Sequence, residues 1–290
     1  MRQSNNERSC ASPLSAAAVS RALRINMITA PSAAADHDVL PPPPRADTGA
    51  LALFVDVDGT LVDIASRPDA VVVEASLPAT LKRLKARLGG ALAPVSGRPI
   101  RDIDALLDLG GTAAGLHGAE LRGPDGAALA APILHEGLDA ARSRAVEAAA
   151  AIPGVLVEDK GGAIALHYRA APDAELDVRR AASEMLDAAG DGYELLHGKL
   201  VIELKPADSN KGAALCALMS IAPFAGRTPW MIGDDATDED AFAEVNAERG
   251  VSIIVGPRRP TIARYALEGP AAAREWLAAL ANGIPPGARR

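Results

Sequence analysis

Aromatic residues are scarce. Three Phe, three Tyr and two Trp make up 3% of the 290 residues, too few for a platform on which bases stack. Cysteine is as rare: Cys10 and Cys216 lie far apart and form no CxxC pair. That argues against a disulfide framework and a thiolate zinc site, and it fits a reducing, cytoplasmic compartment. No apolar run is long enough to span a bilayer, because charge, Gly or Pro breaks each one. Basic charge is not in excess either. Thirty Lys and Arg stand against 37 Asp and Glu, a net charge of −7. Nucleic acid and membrane surfaces are therefore poor partners, and the expectation is a monomer that works on a small molecule.

What the chain does have is apolar mass, 49% of its residues. That suffices for one large domain, or for a domain with an insertion. Residues 1–48 differ from the rest. They mix Ser, Ala, Asn and Arg without sustained periodicity, end in Pro41 to Pro44, and carry no convincing apolar signal segment. They read as a disordered tail closed by an extended polyproline spacer.

From residue 51 a strand–helix alternation begins. "LALFV" is a strand, Leu77, Leu81, Leu84 and Leu88 recur at helical spacing, "ALAPV" is a strand, and Ile100, Ile103 and Leu107 mark a second helix. Later, "AALCALM" is helical, "TPWMIG" is a strand, 238–246 is helical, and "VSIIVG" is a strand. Such alternation specifies an α/β fold, a parallel sheet with helices on both faces. Between about 122 and 202 the pattern changes to two helices and two strand pairs. The pairs turn about Gly161-Gly162 and about His197-Gly198. This reads as an inserted α+β unit that sits as a lid.

The chemistry gathers where the parallel strands end. "LALFVDVDGTL" (51–61) carries Asp56 and Asp58 to the lip of the core, two apart and so on one side of an extended chain. A second acidic set, Asp234, Asp235 and Asp238, follows "TPWMIG". Ligands of open α/β sheets bind beyond the carboxyl ends of the strands, where both sets fall. Carboxylates crowded there repel unless a cation joins them, and an all-oxygen set suits Mg²⁺. The alternative is helix capping, to which Thr237 with Asp240 conforms as a capping box and Glu239 as a first-turn acid. Ser96-Gly97-Arg98 opens the helix after "ALAPV", where a hydroxyl and backbone N–H groups can hold a phosphate oxygen, and Lys211 adds positive charge.

The order D-x-D-G-T-L, S-G-R, K, G-D-D-x-x-D resembles the haloacid-dehalogenase superfamily of phosphotransferases. The resemblance implies Asp56 as nucleophile and Asp58 as general acid and base. It also implies Ser96, Gly97 and Lys211 around the phosphoryl group, and Mg²⁺ on Asp56, Asp58 and Asp234, supported by Asp235 and Asp238. "GLHGAE" (115–120), "EDK" (158–160), "LHYR" (166–169), "HGKLVIELKP" (197–206) and "NKG" (210–212) are similar to the trehalose-phosphate phosphatase family. That likeness spans about 51 to 280. It implies a Rossmann-like core (49–121 and 203–290) with an α+β cap (122–202), and Arg98, His117, Glu120, Lys160, His167, Arg169, Lys199 and Glu203 on the substrate side. The expected activity is hydrolysis of trehalose 6-phosphate. Another sugar-phosphate phosphatase, a phosphosugar mutase and a non-catalytic phospho-receiver module are the alternatives; a receiver has neither the lid nor the second acid of D-x-D.

Overall fold

The computed structural model describes residues 40–283 apart from 66, 68 and 69. Strand β1 (Leu51–Val55) is buried at every position, as a strand covered on both faces must be. Helix α1 (Leu77–Arg87) carries Pro78 in its first turn and buries Leu77, Leu81 and Leu84. Strand β2 (Leu92–Pro94) follows, then α2 (Ile100–Leu107), anchored by Ile103 and Leu107. Three short strands, β3 (Ala113–Gly115), β4 (Glu120–Arg122) and β5 (Ala128–Ala130), form a small antiparallel sheet. At three residues each they are too short to show a period.

Next come α3 (Leu138–Ala151), β6 (Leu156–Asp159), β7 (Ile164–His167), α4 (Glu175–Ala189), β8 (Tyr193–Gly198) and β9 (Val201–Pro206). Helix α5 (Lys211–Met219), β10 (Thr228–Gly233), α6 (Asp238–Ala247), β11 (Val251–Val255), β12 (Tyr265–Leu267) and α7 (Pro270–Ala281) complete the described chain.

The core sheet has the order β12-β11-β10-β1-β2 and is parallel throughout. Alternate strand residues feed opposite faces. Leu53, Val55, Ile232 and Ile253 pack with Leu81 and Leu84 of α1 and with Trp276 and Leu277 of α7. Phe54, Met231 and Ile254 pack with Leu215 and Leu218 of α5 and with Phe242 and Val245 of α6. The chain leaves β1 toward β2 on one side and returns through β10 toward β12 on the other. The strand order therefore reverses between β1 and β10, which opens a crevice at their carboxyl ends.

Strands β6-β7-β9-β8 form a separate antiparallel sheet. Ile164, Leu166, Ile202 and Leu204 pack beneath α3 and α4, where Ala141, Ala145 and Ala182 let the helices approach closely. The intervening residues Glu158, His167 and Glu203 line a cleft of about 1010 Å³ whose floor is the carboxyl end of the core sheet.

Three expectations change. The cap boundary at 202 cuts β9, which runs to Pro206 because it pairs with both β7 and β8; the boundary at 121 likewise cuts β4. The second hairpin turns at Lys199-Leu200 rather than at His197-Gly198, with Leu200 at φ 61°. The tail expected over 1–48 is docked from residue 40 onward. Leu40 and Ala46 pack on the core, Pro43 is buried, and the Pro41 carbonyl accepts from Ala266 N at 3.0 Å. β12 is an edge strand with N–H groups to satisfy, and a polyproline run supplies acceptors without competing donors. The expectation for 1–39 lies outside the described residues.

Candidate active site

Asp56 directly follows β1 and is 4% exposed. Its amide donates to Ile232 O of β10 at 2.9 Å, which sets it beside Asp234 at the next strand end. Carboxylate oxygens of Asp56, Asp234 and Asp238 lie within 4.8 Å of one another. Lys211, first residue of α5, donates to Asp56 Oδ1 and to Asp238 Oδ1, each at 2.7 Å. Asn210 fixes the start of that helix by accepting from Ala213 N at 2.7 Å.

Burial raises Asp56 well above the carboxylate range; Lys211 opposes the rise, and the neighbouring acids add to it. Asp234 is pushed up to about 7, by burial first and then by Asp238 and Asp235. Asp238 is raised by burial. Lys211 shifts the other way: burial works against its charge, but Asp238 and Asp56 hold it well above the usual ammonium range. One lysine thus does not neutralise this cluster. The hard-oxygen donor set fits a divalent cation, which would remove the remaining repulsion.

That arrangement has a pH signature. A carboxyl raised in the fold contributes stability that is present below its unfolded value and is lost as pH rises through about 7. In chelator, the melting temperature should fall between pH 5 and pH 8. Because a cation binds the deprotonated cluster, stabilisation by added Mg²⁺ should be small at pH 5 and grow to several degrees at pH 8. Equal melting temperatures with metal and chelator at pH 8 would remove the metal site.

Asp58 behaves differently. It is paired with Arg98, through Nε at 2.6 Å and Nη2 at 2.7 Å, and its side chain stays outside the acidic triad. Asp235 also leaves the triad: its Oδ1 accepts from Thr237 N at 2.7 Å and Thr237 Oγ1 at 2.6 Å. Burial would raise Asp235, but Lys211 and the two Thr237 bonds bring it below the usual range. The capping box expected at Thr237 is absent. Asp238 Oδ2 instead takes the amides of Asp234 at 2.9 Å and Asp235 at 3.1 Å, and Glu239 pairs with Arg258 at 2.7 Å. Thr60 Oγ1 donates to Asp234 Oδ1 at 3.1 Å. Gly59 lies at φ 82°, and a Cβ there would run into the Asp234 carboxylate.

Ser96 is buried at the end of β2, its Oγ accepting from Arg98 N at 3.2 Å, and Gly97 follows in the cleft wall. From the cap, Lys160 donates to Glu203 Oε2 at 2.6 Å and to Gly97 O at 3.1 Å. Burial would lower Lys160, but Glu203 and Glu158 raise it; burial would raise Glu203, but Lys160 holds it at about 2. Both stay charged. Glu158, Ala165 and Glu203 form one row across the cap sheet, so the smallest residue separates the two acids. His167 Nε2 meets Glu158 Oε2 at 2.8 Å. Arg169 donates to Lys199 O at 3.3 Å, and both residues border the cleft. His117 also lines it. Glu120 does not. Its Oε2 accepts from Ile100 N at 2.7 Å, and so caps α2 from outside the cleft. Thr60 and Glu158 were missed by sequence reasoning, although "DGT" and "EDK" contain them.

The trehalose-phosphatase family model matches residues 54–271. The chain belongs to that family. A probable trehalose-phosphate phosphatase from Sinorhizobium fredii is 46% identical over 215 residues, covering 72% of this chain and 79% of the relative. The trehalose-6-phosphate phosphatase of Escherichia coli is 40% identical over 230 residues, covering 78% and 85%. Among solved structures, a trehalose-6-phosphate phosphatase related protein aligns with TM-score 0.69 and 27% identity over 80% of this chain and 97% of that one. The C-terminal domain of the Candida albicans trehalose-6-phosphate phosphatase aligns with TM-score 0.71 at 24% identity, over 81% and 93%, a likeness of fold. Family membership and the cap together set aside the receiver module. No helix among the described residues is long and apolar enough to cross a membrane.

Proposed function

We propose that the protein hydrolyses trehalose 6-phosphate to trehalose and inorganic phosphate through an aspartyl-phosphate on Asp56. The observation that carries this reading is the placement of Asp56, tied to Lys211 on the cleft floor, beneath a cap that lines the cleft with Glu158, Lys160, His167 and Glu203. An Asp56 carboxylate oxygen attacks phosphorus, and the bond from phosphorus to the sugar's C6 oxygen breaks. Asp58 gives that oxygen its proton. Water then attacks phosphorus, yields its proton to Asp58, and releases the Asp56 carboxylate with inorganic phosphate. Ser96, the backbone at Gly97 and Lys211 hold the phosphoryl oxygens. Arg98 occupies both oxygens of Asp58, so the pair parts as the incoming phosphate draws the guanidinium.

Mg²⁺ is the cation the site suits, with Asp56, Asp234 and the Asp58 backbone carbonyl to hold it and Asp235 and Asp238 in support. When bound it supplies charge neutralisation between the attacking carboxylate and the phosphate dianion. We read the active species as a cytoplasmic monomer. In the cap, Lys160, His167, Arg169, Lys199 and Glu203 face the sugar, and Glu158 joins them.

Asp58→Asn separates the two chemical steps. Nitrophenolate leaves without protonation, so this variant should release about one equivalent of nitrophenol in a burst and then stall, because water lacks its base. Trehalose 6-phosphate, whose alkoxide needs the proton, should give no burst. Steady turnover of the aryl phosphate without a burst would contradict the assigned role of Asp58.

A further inference from the structure

A phosphate dianion meets repulsion on its way to Asp56. The chain carries a net charge of −7, and Asp56, Asp58, Asp234 and Asp235 all line the cleft that the dianion must enter. Two cations of the cleft are already engaged there, Lys211 by Asp56 and Arg98 by Asp58. A cation paired with a carboxylate presents little net field to an approaching ligand. Attraction from a distance has to come from cations that keep their charge to themselves.

Three residues lining the cleft answer that description. Arg169 and Lys199 belong to the cap, where the Arg169 guanidinium meets the neutral carbonyl of Lys199 and the Lys199 side chain is exposed. The third is Arg259, on the core segment that follows β11. It is exposed, and its Nη1 donates to the Arg258 carbonyl at 2.6 Å, again a neutral partner. Asp63 and Glu268 also line the cleft, but Asp63 Oδ2 lies 3.5 Å from Arg274 Nη1.

The segment that presents Arg259 is fixed in place. Glu239, in the first turn of α6, accepts from Arg258 Nη1 at 2.7 Å and from Ile262 N at 2.9 Å. Asn246, further along the same helix, donates to Ile262 O at 2.9 Å. Gly256 N donates to Leu267 O at 2.9 Å. Adjacent arginines thus divide two tasks. Arg258 anchors the segment and is neutralised by Glu239, while Arg259 keeps its charge at the cleft.

We propose that Arg259, with Arg169 and Lys199 of the cap, forms a cationic rim that draws phosphate dianions into the cleft, so that Arg259 sets kcat/KM through charge at a distance and contacts neither the sugar nor the reacting atoms. The proposal rests on the sugar-phosphatase reading for its natural substrate, but the rim acts on any dianion. Such a field raises capture at low ionic strength and fades as salt screens it.

The test compares wild type with Arg259→Gln, Arg259→Glu and Arg259→Lys. Rates are measured on trehalose 6-phosphate and on an aryl phosphate at about 0.01 M salt, where the Debye length is about 30 Å, and at about 1 M, where it is about 3 Å. At low salt Arg259→Glu should lose about fivefold in kcat/KM on both substrates and Arg259→Gln about twofold, with kcat unchanged. Arg259→Lys keeps the charge without the guanidinium's shape and should match wild type. At high salt all four should converge. Inhibition by inorganic phosphate should weaken in step with kcat/KM, whereas inhibition by trehalose, which is uncharged, should not change. A loss that persists at high salt, extends to trehalose or is not restored by Lys would make Arg259 a contact residue and overturn the rim. Equal kcat/KM for wild type and Arg259→Glu at low salt would overturn it too. The sugar reading fails on a different result, a wild type that does not prefer trehalose 6-phosphate to other sugar phosphates; the aryl phosphate and inorganic phosphate still decide the rim in that case.

Discussion

Asp56→Asn should lower kcat by about 10³-fold or more, while the melting temperature stays within a few degrees of wild type. The amide matches the carboxylate in size but is a far poorer nucleophile, and it withdraws one of the three carboxylate oxygens that lie within 4.8 Å of one another. The fold is spared for two reasons. The Asp56 amide bond to Ile232 belongs to the backbone and persists. The lost charge is one that burial already opposes, and Lys211 keeps its bond to Asp238. Retention of more than about a tenth of wild-type activity would contradict the covalent mechanism. Loss of cooperative folding along with activity would show only a damaged scaffold.

The second large effect concerns the cap. Phosphate-binding residues cannot tell one sugar phosphate from another, so discrimination must come from groups that meet hydroxyls. Lys160 and Glu203 form a buried ion pair at 2.6 Å, and the lysine also reaches Gly97 on the core. Glu203→Gln should reduce kcat/KM for trehalose 6-phosphate by about tenfold or more, with a smaller effect on an aryl phosphate too short to reach the cap row. Lys160→Ala should do the same and also destabilise the chain, because it leaves the Glu203 carboxylate buried without its cation, a cost of about 3–5 kcal/mol. The two variants thus separate recognition from support. Parallel losses on both substrates, with no change in their ratio, would take the cap out of sugar selection.

Much of this arrangement was legible in the chain because the core obeys simple periods. A five-residue apolar run ending in Asp56, and another ending in Gly233-Asp234, can only be buried strands whose polar continuations fall at one sheet edge. The sequence could not show that Asp58 and Asp235 would turn from the triad toward Arg98 and Thr237. Those choices depend on side chains 40 and two residues away, settled by geometry rather than by spacing. Glu120 shows the same limit. A carboxylate inside a substrate-like motif is spent on the Ile100 amide at the start of α2. The docked segment from residue 40 was hidden for another reason: polyproline carries no periodic signal, and its role depends on an edge strand more than 200 residues later. His117 was legible as a motif residue, but its left-handed backbone was not.

The measurement that tests the central claim most directly is phosphate release from a panel of sugar phosphates, with Mg²⁺ and with chelator. The account predicts release that requires the metal and a kcat/KM for trehalose 6-phosphate about tenfold or more above that for monosaccharide phosphates. Metal-independent release, or equal rates across the panel, would contradict it.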